Sequence, residues 1–76
     1  MNKIEKSRQI LNFIIKQKSK GNAFQELNIQ MKILIKGVNV KEILEGTLPD
    51  YAADETVSKL EAIAQEFGVD LKKMPQ

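Results

Sequence analysis

The chain has 76 residues, room for one domain, and a domain of this size buries only about 60% of the surface its unfolded chain exposes. It contains no Cys and no His, which excludes disulfide reinforcement, the thiolate and imidazole zinc sites and the commonest general acid–base side chain. The net charge of +2 hides a polarity: residues 1–41 carry nine basic and two acidic side chains, residues 42–70 one basic and eight acidic.

Four glycines punctuate the chain. Gly21, Gly37, Gly46 and Gly68 each follow an apolar-periodic segment, where a left-handed residue ends a helix. Three segments also carry a start signal: Asn2 stands three before Glu5, Asn22 three before Gln25, and Asn39 three before Glu42. Each pair predicts a reciprocal cap, with the Asn side chain taking a free backbone N–H and the Glu or Gln returning to the Asn backbone. Val38 and Ile43 are placed to add a hydrophobic staple at the third start.

The first predicted helix covers about 3–19. At about 100° per residue, Ile4, Ile10, Leu11, Ile14 and Ile15 share a broad face with Phe13 at its edge, and Glu5, Arg8, Asn12 and Lys16 lie opposite. The second covers about 23–36. Phe24, Leu27, Met31, Leu34, Ile35 and Val38 fall within an arc of about 100° and are assigned to the core, while Ile29 and Ile33 lie on the other side. Strict alternation from Leu27 to Ile35, broken only at Leu34, also fits a strand. The helix is preferred because it is capped at both ends and the rest of the chain offers a lone strand no partner.

A short helix follows at about 40–45, then a loop holding Pro49 and Asp50. The last helix is predicted at about 55–67, capped by Asp54, with Val57, Leu60, Ile63, Ala64 and Phe67 on its apolar face and a Schellman end at Gly68-Val69. The expected fold is therefore all-α: a small bundle of three main helices and one short helix, a single domain over 1–71 with a frayed tail over 72–76.

No catalytic constellation emerges. The hydroxyls Ser7, Ser19, Ser58, Thr47, Thr56 and Tyr51 have no His to activate them, and the lysines lie on polar, hydrated faces. Asp50, Asp54 and Glu55 lack the regular ligand spacing and the turn glycine of a calcium loop, and loop solvation with a helix cap accounts for them. No Gly-rich phosphate loop occurs. The longest uninterrupted apolar runs, Phe13-Ile14-Ile15 and Ile33-Leu34-Ile35 among them, are three residues. That falls far below the roughly 20 of a membrane span or the 7 of a secretory leader. The expectation is a cytoplasmic, non-enzymatic protein with no cofactor and no metal.

Two surfaces remain as candidates. Ile29 and Ile33 sit one helical turn apart, opposite the assigned core face and flanked by Lys32 and Lys36. They are either buried, with the second helix central in the bundle between the first and the last, or a contact surface for a partner helix or a second copy. A chain without disulfides gains from such extra burial. The other candidate is the basic first segment, with Arg8, Lys16, Lys18 and Lys20 as contacts for the phosphates of nucleic acid or, less expected, an anionic membrane surface. These side chains scatter around the helix, only one is Arg, and no Trp or Tyr is interleaved. The leading expectation is a small protein–protein interaction module, a regulator or adaptor acting through Ile29, Ile33, Lys32 and Lys36, with a homodimer as one form. Nucleic-acid binding is the alternative.

One resemblance bears on that alternative. Gly37-Val38-Asn39, Ile43-Leu44-Glu45-Gly46, Pro49, and the run from Leu60-Glu61-Ala62-Ile63-Ala64 to Gly68-Val69-Asp70-Leu71 resemble the second half of a lambda-repressor-type helix-turn-helix domain. That family carries a Gly-Val-Ser turn, a recognition helix ending near Glu-x-Gly, and a closing helix of the form L-x-x-I-A-x-x-x-G-V. The resemblance covers about half the chain and would make Val40–Glu45 a DNA-reading helix. Here, however, the stretch between the two glycines is about three residues shorter than that family's turn and recognition helix. The segment before the turn is one long helix, and Val40–Glu45 holds one Lys against two Glu, which repel phosphate. The match is accordingly read as shared helical caps and not as membership.

Overall fold

The computed structural model describes residues 2–74. These form four α-helices, α1 (Lys3–Ser19), α2 (Ala23–Ile35), α3 (Val40–Glu45) and α4 (Asp50–Glu66), followed by a 3-10 turn (Leu71–Lys73). No strand is present among the described residues, so the alternation in 27–35 belongs to a helix and the fold is a small all-α bundle.

The starts follow the Asn signals. The Oδ1 of Asn2, Asn22 and Asn39 accepts from the backbone N–H of Glu5 (2.8 Å), Gln25 (3.2 Å) and Glu42 (3.2 Å). These bonds satisfy N–H groups that a helix leaves unpaired at its start. The reciprocal half differs from expectation: the Asn39 side-chain amide donates to the Glu42 carboxylate (2.6 Å), so that pair closes through side chains.

The ends follow the glycines, all four of which have positive φ. At Gly68 the motif is complete: Val69 N–H donates to Ala64 O (2.8 Å), Gly68 N–H to Gln65 O (3.2 Å), and Val69 is buried. Gly46 (φ +76°) closes α3, with Thr47 N–H donating to Glu42 O (2.9 Å). Lys20 takes the left-handed cap of α1 without being glycine (φ 52°).

The last helix departs from expectation. It begins at Asp50, five residues before the predicted 55, with Pro49 in extended conformation at its cap. Pro49 fits there because a residue at the cap donates no intrahelical N–H, and Asp50 places a carboxylate at the positive end of the helix. Asp54 is therefore not a cap; it lies inside α4 and pairs with Lys3 of α1. At the other end, Lys72 and Lys73 belong to the 3-10 turn, capped by Asp70, and Met74 packs against the core. Pro75 and Gln76 of the expected tail lie outside the described residues.

The centre of the bundle is α1. Ile10, Leu11 and Ile14 are 0–1% exposed, and α1 packs most extensively against α4, next against α2, then against α3. Each such aliphatic burial is worth about 1.5–3 kcal/mol. Leu60, Ile63 and Ala64 of α4, Ile29 and Ile33 of α2, and Val40 and Ile43 of α3 complete the core. The helix at the centre is thus the first and not the second. α2 and α4 approach each other near their C-terminal ends, where Lys36 pairs with Glu66 (2.6 Å) and Lys59 Nζ donates to Gly37 O (3.3 Å). Ser7, fully buried in α1, donates its hydroxyl to Lys3 O (2.9 Å). Among the described residues no buried side-chain N or O lacks a partner.

Gly46→Ala tests the end of α3. The added Cβ would fall 2.7 Å from the Arg8 guanidinium, which can swing aside, so the cost is that of holding a non-glycine residue at φ +76°. A loss of about 1–2 kcal/mol is expected by urea denaturation.

Candidate functional site

Helix α2 is apolar on two sides, and the fold uses only one of them. Ile29 (5% exposed) and Ile33 (0%) face α1 and lie in the core. The residues that the apolar arc assigned to the core, Phe24, Leu27, Met31, Leu34 and Ile35, are all more than half exposed, and only Val38 of that group is buried. The two faces are therefore interchanged relative to the sequence reading. The cause is geometric: two β-branched isoleucines one turn apart present a narrow, stiff ridge that fits against the Ile10–Ile14 stripe of α1.

The basic pair assigned to a partner goes with the buried side. Lys36 is committed within the chain, pairing with Glu66 and lying 6.0 Å from the centroid of the Phe67 ring. Lys32 borders a small cleft with Lys18, Ile29, Glu66 and Phe67. Ile29, Ile33, Lys32 and Lys36 are thus gathered on the α4 side of α2, where the two isoleucines can meet no partner without unfolding.

On the exposed side, α2 and α3 diverge from the Gly37-Val38-Asn39 turn and enclose an open groove of about 490 Å³. Leu27, Met31 and Leu34 form one wall, Val40 and Leu44 the other, and Gln30, Lys41 and Glu45 supply the polar rim. Phe24 (81% exposed) and Ile35 (79%) extend the apolar surface along and beside the α2 wall. With Leu27, Met31, Leu34 and Leu44 these make six of the seven large hydrophobic side chains exposed among the described residues, and a contiguous exposed apolar patch on a small domain marks a contact surface. Phe24, Leu27, Met31 and Leu34 recur at intervals of three, four and three, the spacing of a helix–helix seam. That spacing was present in the sequence, as were the neutral residues Asn28 and Gln30 beside it.

The basic candidates do not converge. The Arg8 guanidinium lies against Gly46 at the end of α3. Lys16 borders a shallow cleft between α1 and the C-terminal turn, with Phe13 and Lys73. Lys18 borders an adjoining cleft that also contains Asp70, and Lys20 is the exposed left-handed cap of α1. Lys3, outside that set, is neutralised by Asp54. Asp50, expected in a loop, and Asp54, expected as a cap, both lie on α4 with Glu55, which pairs with Lys59 (3.4 Å). α3, six residues long, is amphipathic: Val40 and Ile43 point inward, and Lys41, Leu44 and Glu45 outward.

No protein-family model, curated protein or solved structure matches the chain. Among the described residues no helix is long and apolar enough to cross a membrane.

The assignment of faces is tested by neighbouring substitutions on α2. Ile33→Ala should cost about 2–5 kcal/mol through lost burial and the cavity left behind. Leu34→Ala should change stability by no more than about 0.5 kcal/mol. Both are read by urea denaturation at low micromolar concentration.

Proposed function

We propose that this chain is a non-enzymatic protein–protein interaction module, a cytoplasmic adaptor or regulator that docks an apolar helix in the groove between α2 and α3. The observation that carries this reading is the exposed row Leu27, Met31 and Leu34 facing Val40 and Leu44 across an open groove with an uncharged floor. Leaving such a surface in water is unfavourable by roughly 25 cal/mol per Å², and covering it recovers that free energy. The geometry is that of helix-in-groove recognition, in which residues at i, i+3 or i+4, and i+7 of the incoming helix insert between two receptor helices. Large apolar side chains form the floor, and Met31, unbranched and polarizable, adapts its shape to an incoming side chain. Lys41, Glu45 and Gln30 at the rim set orientation.

The contact surface in this proposal is the one opposite to Ile29 and Ile33. The docking residues are Leu27, Met31, Leu34 and Leu44, and the fold itself accounts for the two isoleucines.

Met31→Asp tests the proposal without threatening the core, because Met31 is 59% exposed. The variant should keep its helical circular dichroism and its melting temperature within a few degrees. A labelled amphipathic peptide with leucines at intervals of three and four should bind the wild type saturably and the variant at least about tenfold more weakly, as expected for a charge placed in a desolvated contact. Equal binding to both proteins, or none to a wild type that is monomeric, would refute the reading.

A further inference from the structure

We infer that the occupant of the α2–α3 groove is a second copy of this chain, related by a two-fold axis that sets Lys41 of each copy opposite Glu45 of the other. This rests on the docking reading above and names the partner. Three observations point to self-association.

The first is the patch. Six of the seven large hydrophobic side chains exposed among the described residues, Phe24, Leu27, Met31, Leu34, Ile35 and Leu44, lie on α2 and α3, and a two-fold contact covers the same patch on both copies. The second is the seam. Phe24, Leu27, Met31 and Leu34 form a stripe with heptad spacing, and the positions beside it are Asn28, Gln30 and Ile35, all uncharged. Two copies of α2 can therefore pair with no like charges meeting, whereas a stripe meant for a charged partner helix would carry complementary charges at those flanks.

The third is the charge pattern of α3. Lys41 and Glu45 stand one turn apart on the groove rim, exposed, and neither forms an ion pair with another described residue. A two-fold interface requires that if residue i meets residue j, then j meets i. Glu42 of α3 is held by Asn39, so the rim of the helix carries one cation and one anion a turn apart, which meets that requirement when the helix lies antiparallel to its own copy. Lys41 then faces Glu45 twice, once on each side of the axis. Lys41 is the one ammonium group among the residues that line the groove.

The test uses sedimentation equilibrium of the full chain from about 10 to 500 µM together with two charge-reversal variants. The wild type should show a reversible monomer–dimer equilibrium that Met31→Asp abolishes. Lys41→Glu and Glu45→Lys should each weaken the dimer about 3- to 10-fold, since each converts two rim pairs to repulsion. An equimolar mixture of these two variants should regain wild-type affinity as mixed dimers, seen by native mass spectrometry of differently tagged chains. In that mixture every rim pair is again Glu against Lys. Failure of the mixture to recover would overturn the two-fold register. A wild type that stays monomeric while still binding the apolar peptide through Met31 would overturn self-association and leave the docking reading standing. A monomer that binds no peptide would overturn both. A monomer that co-sediments with anionic vesicles through Met31 would assign the face to a lipid surface instead, and a dimer indifferent to Met31→Asp would place the interface elsewhere.

Discussion

The arrangement of the whole molecule depends on the burial of one aliphatic stripe, Ile10, Leu11, Ile14 and Ile15 on α1. These side chains occupy successive turns and are 0–6% exposed. α4 covers one side of the stripe with Leu60, Ile63 and Ala64, α2 covers another with Ile29 and Ile33, and α3 inserts Val40 and Ile43. In a chain this short the stripe supplies nearly all the packing surface available. Whatever does not fit against it remains outside, and the Leu27–Met31–Leu34 face is the part of α2 that does not fit.

Polar interactions refine this arrangement without determining it. The ion pairs Lys3–Asp54 and Lys36–Glu66 join α1 to α4 and the end of α2 to α4, and both lie at the surface, where such pairs contribute little each. They also explain the division of charge along the sequence. The basic first half and the acidic last helix pack together, and two lysines of the first half, Lys3 and Lys36, meet carboxylates of α4. The Asn caps define where α1, α2 and α3 start more sharply than any tertiary contact.

The elements were legible in the sequence to within a residue wherever a cap or a glycine marked them: 3–19, the start at 23 and 40–45 all coincide with observed helices. The start of α4 was not, because Pro49 and Asp50 read equally well as turn residues, and Asp54 carries the chemistry of a cap while acting as an ion-pair partner inside the helix. The orientation of α2 was misread for a deeper reason. Counting apolar residues assigns the larger arc to the interior, and that rule holds when a helix has one apolar face. α2 has two, and the number of residues on each says nothing about which one complements the Ile10–Ile14 stripe. The 3-4-3 seam with neutral flanks is the feature that separates a contact face from a core face here, and it is a property of the pattern and not of the composition. The groove itself was beyond the sequence, since it exists only through the angle between α2 and α3 at Gly37-Val38-Asn39.

The pairing of the first helix with the last one has a consequence for how the molecule comes into being. α1 finds its most extensive partner in α4, whose first residue lies about thirty positions downstream of the end of α1. While the chain is still being synthesised, α1 and α2 emerge with the side of the α1 stripe that α4 covers still bare, and with Leu27, Met31 and Leu34 as open to water as they remain in the finished fold. A nascent chain at that stage shows water two apolar surfaces where the finished one shows a single one, and only the arrival of α4 removes the difference. The window in which the polypeptide is prone to clump, or to be held by a chaperone, closes with the final helix and not before.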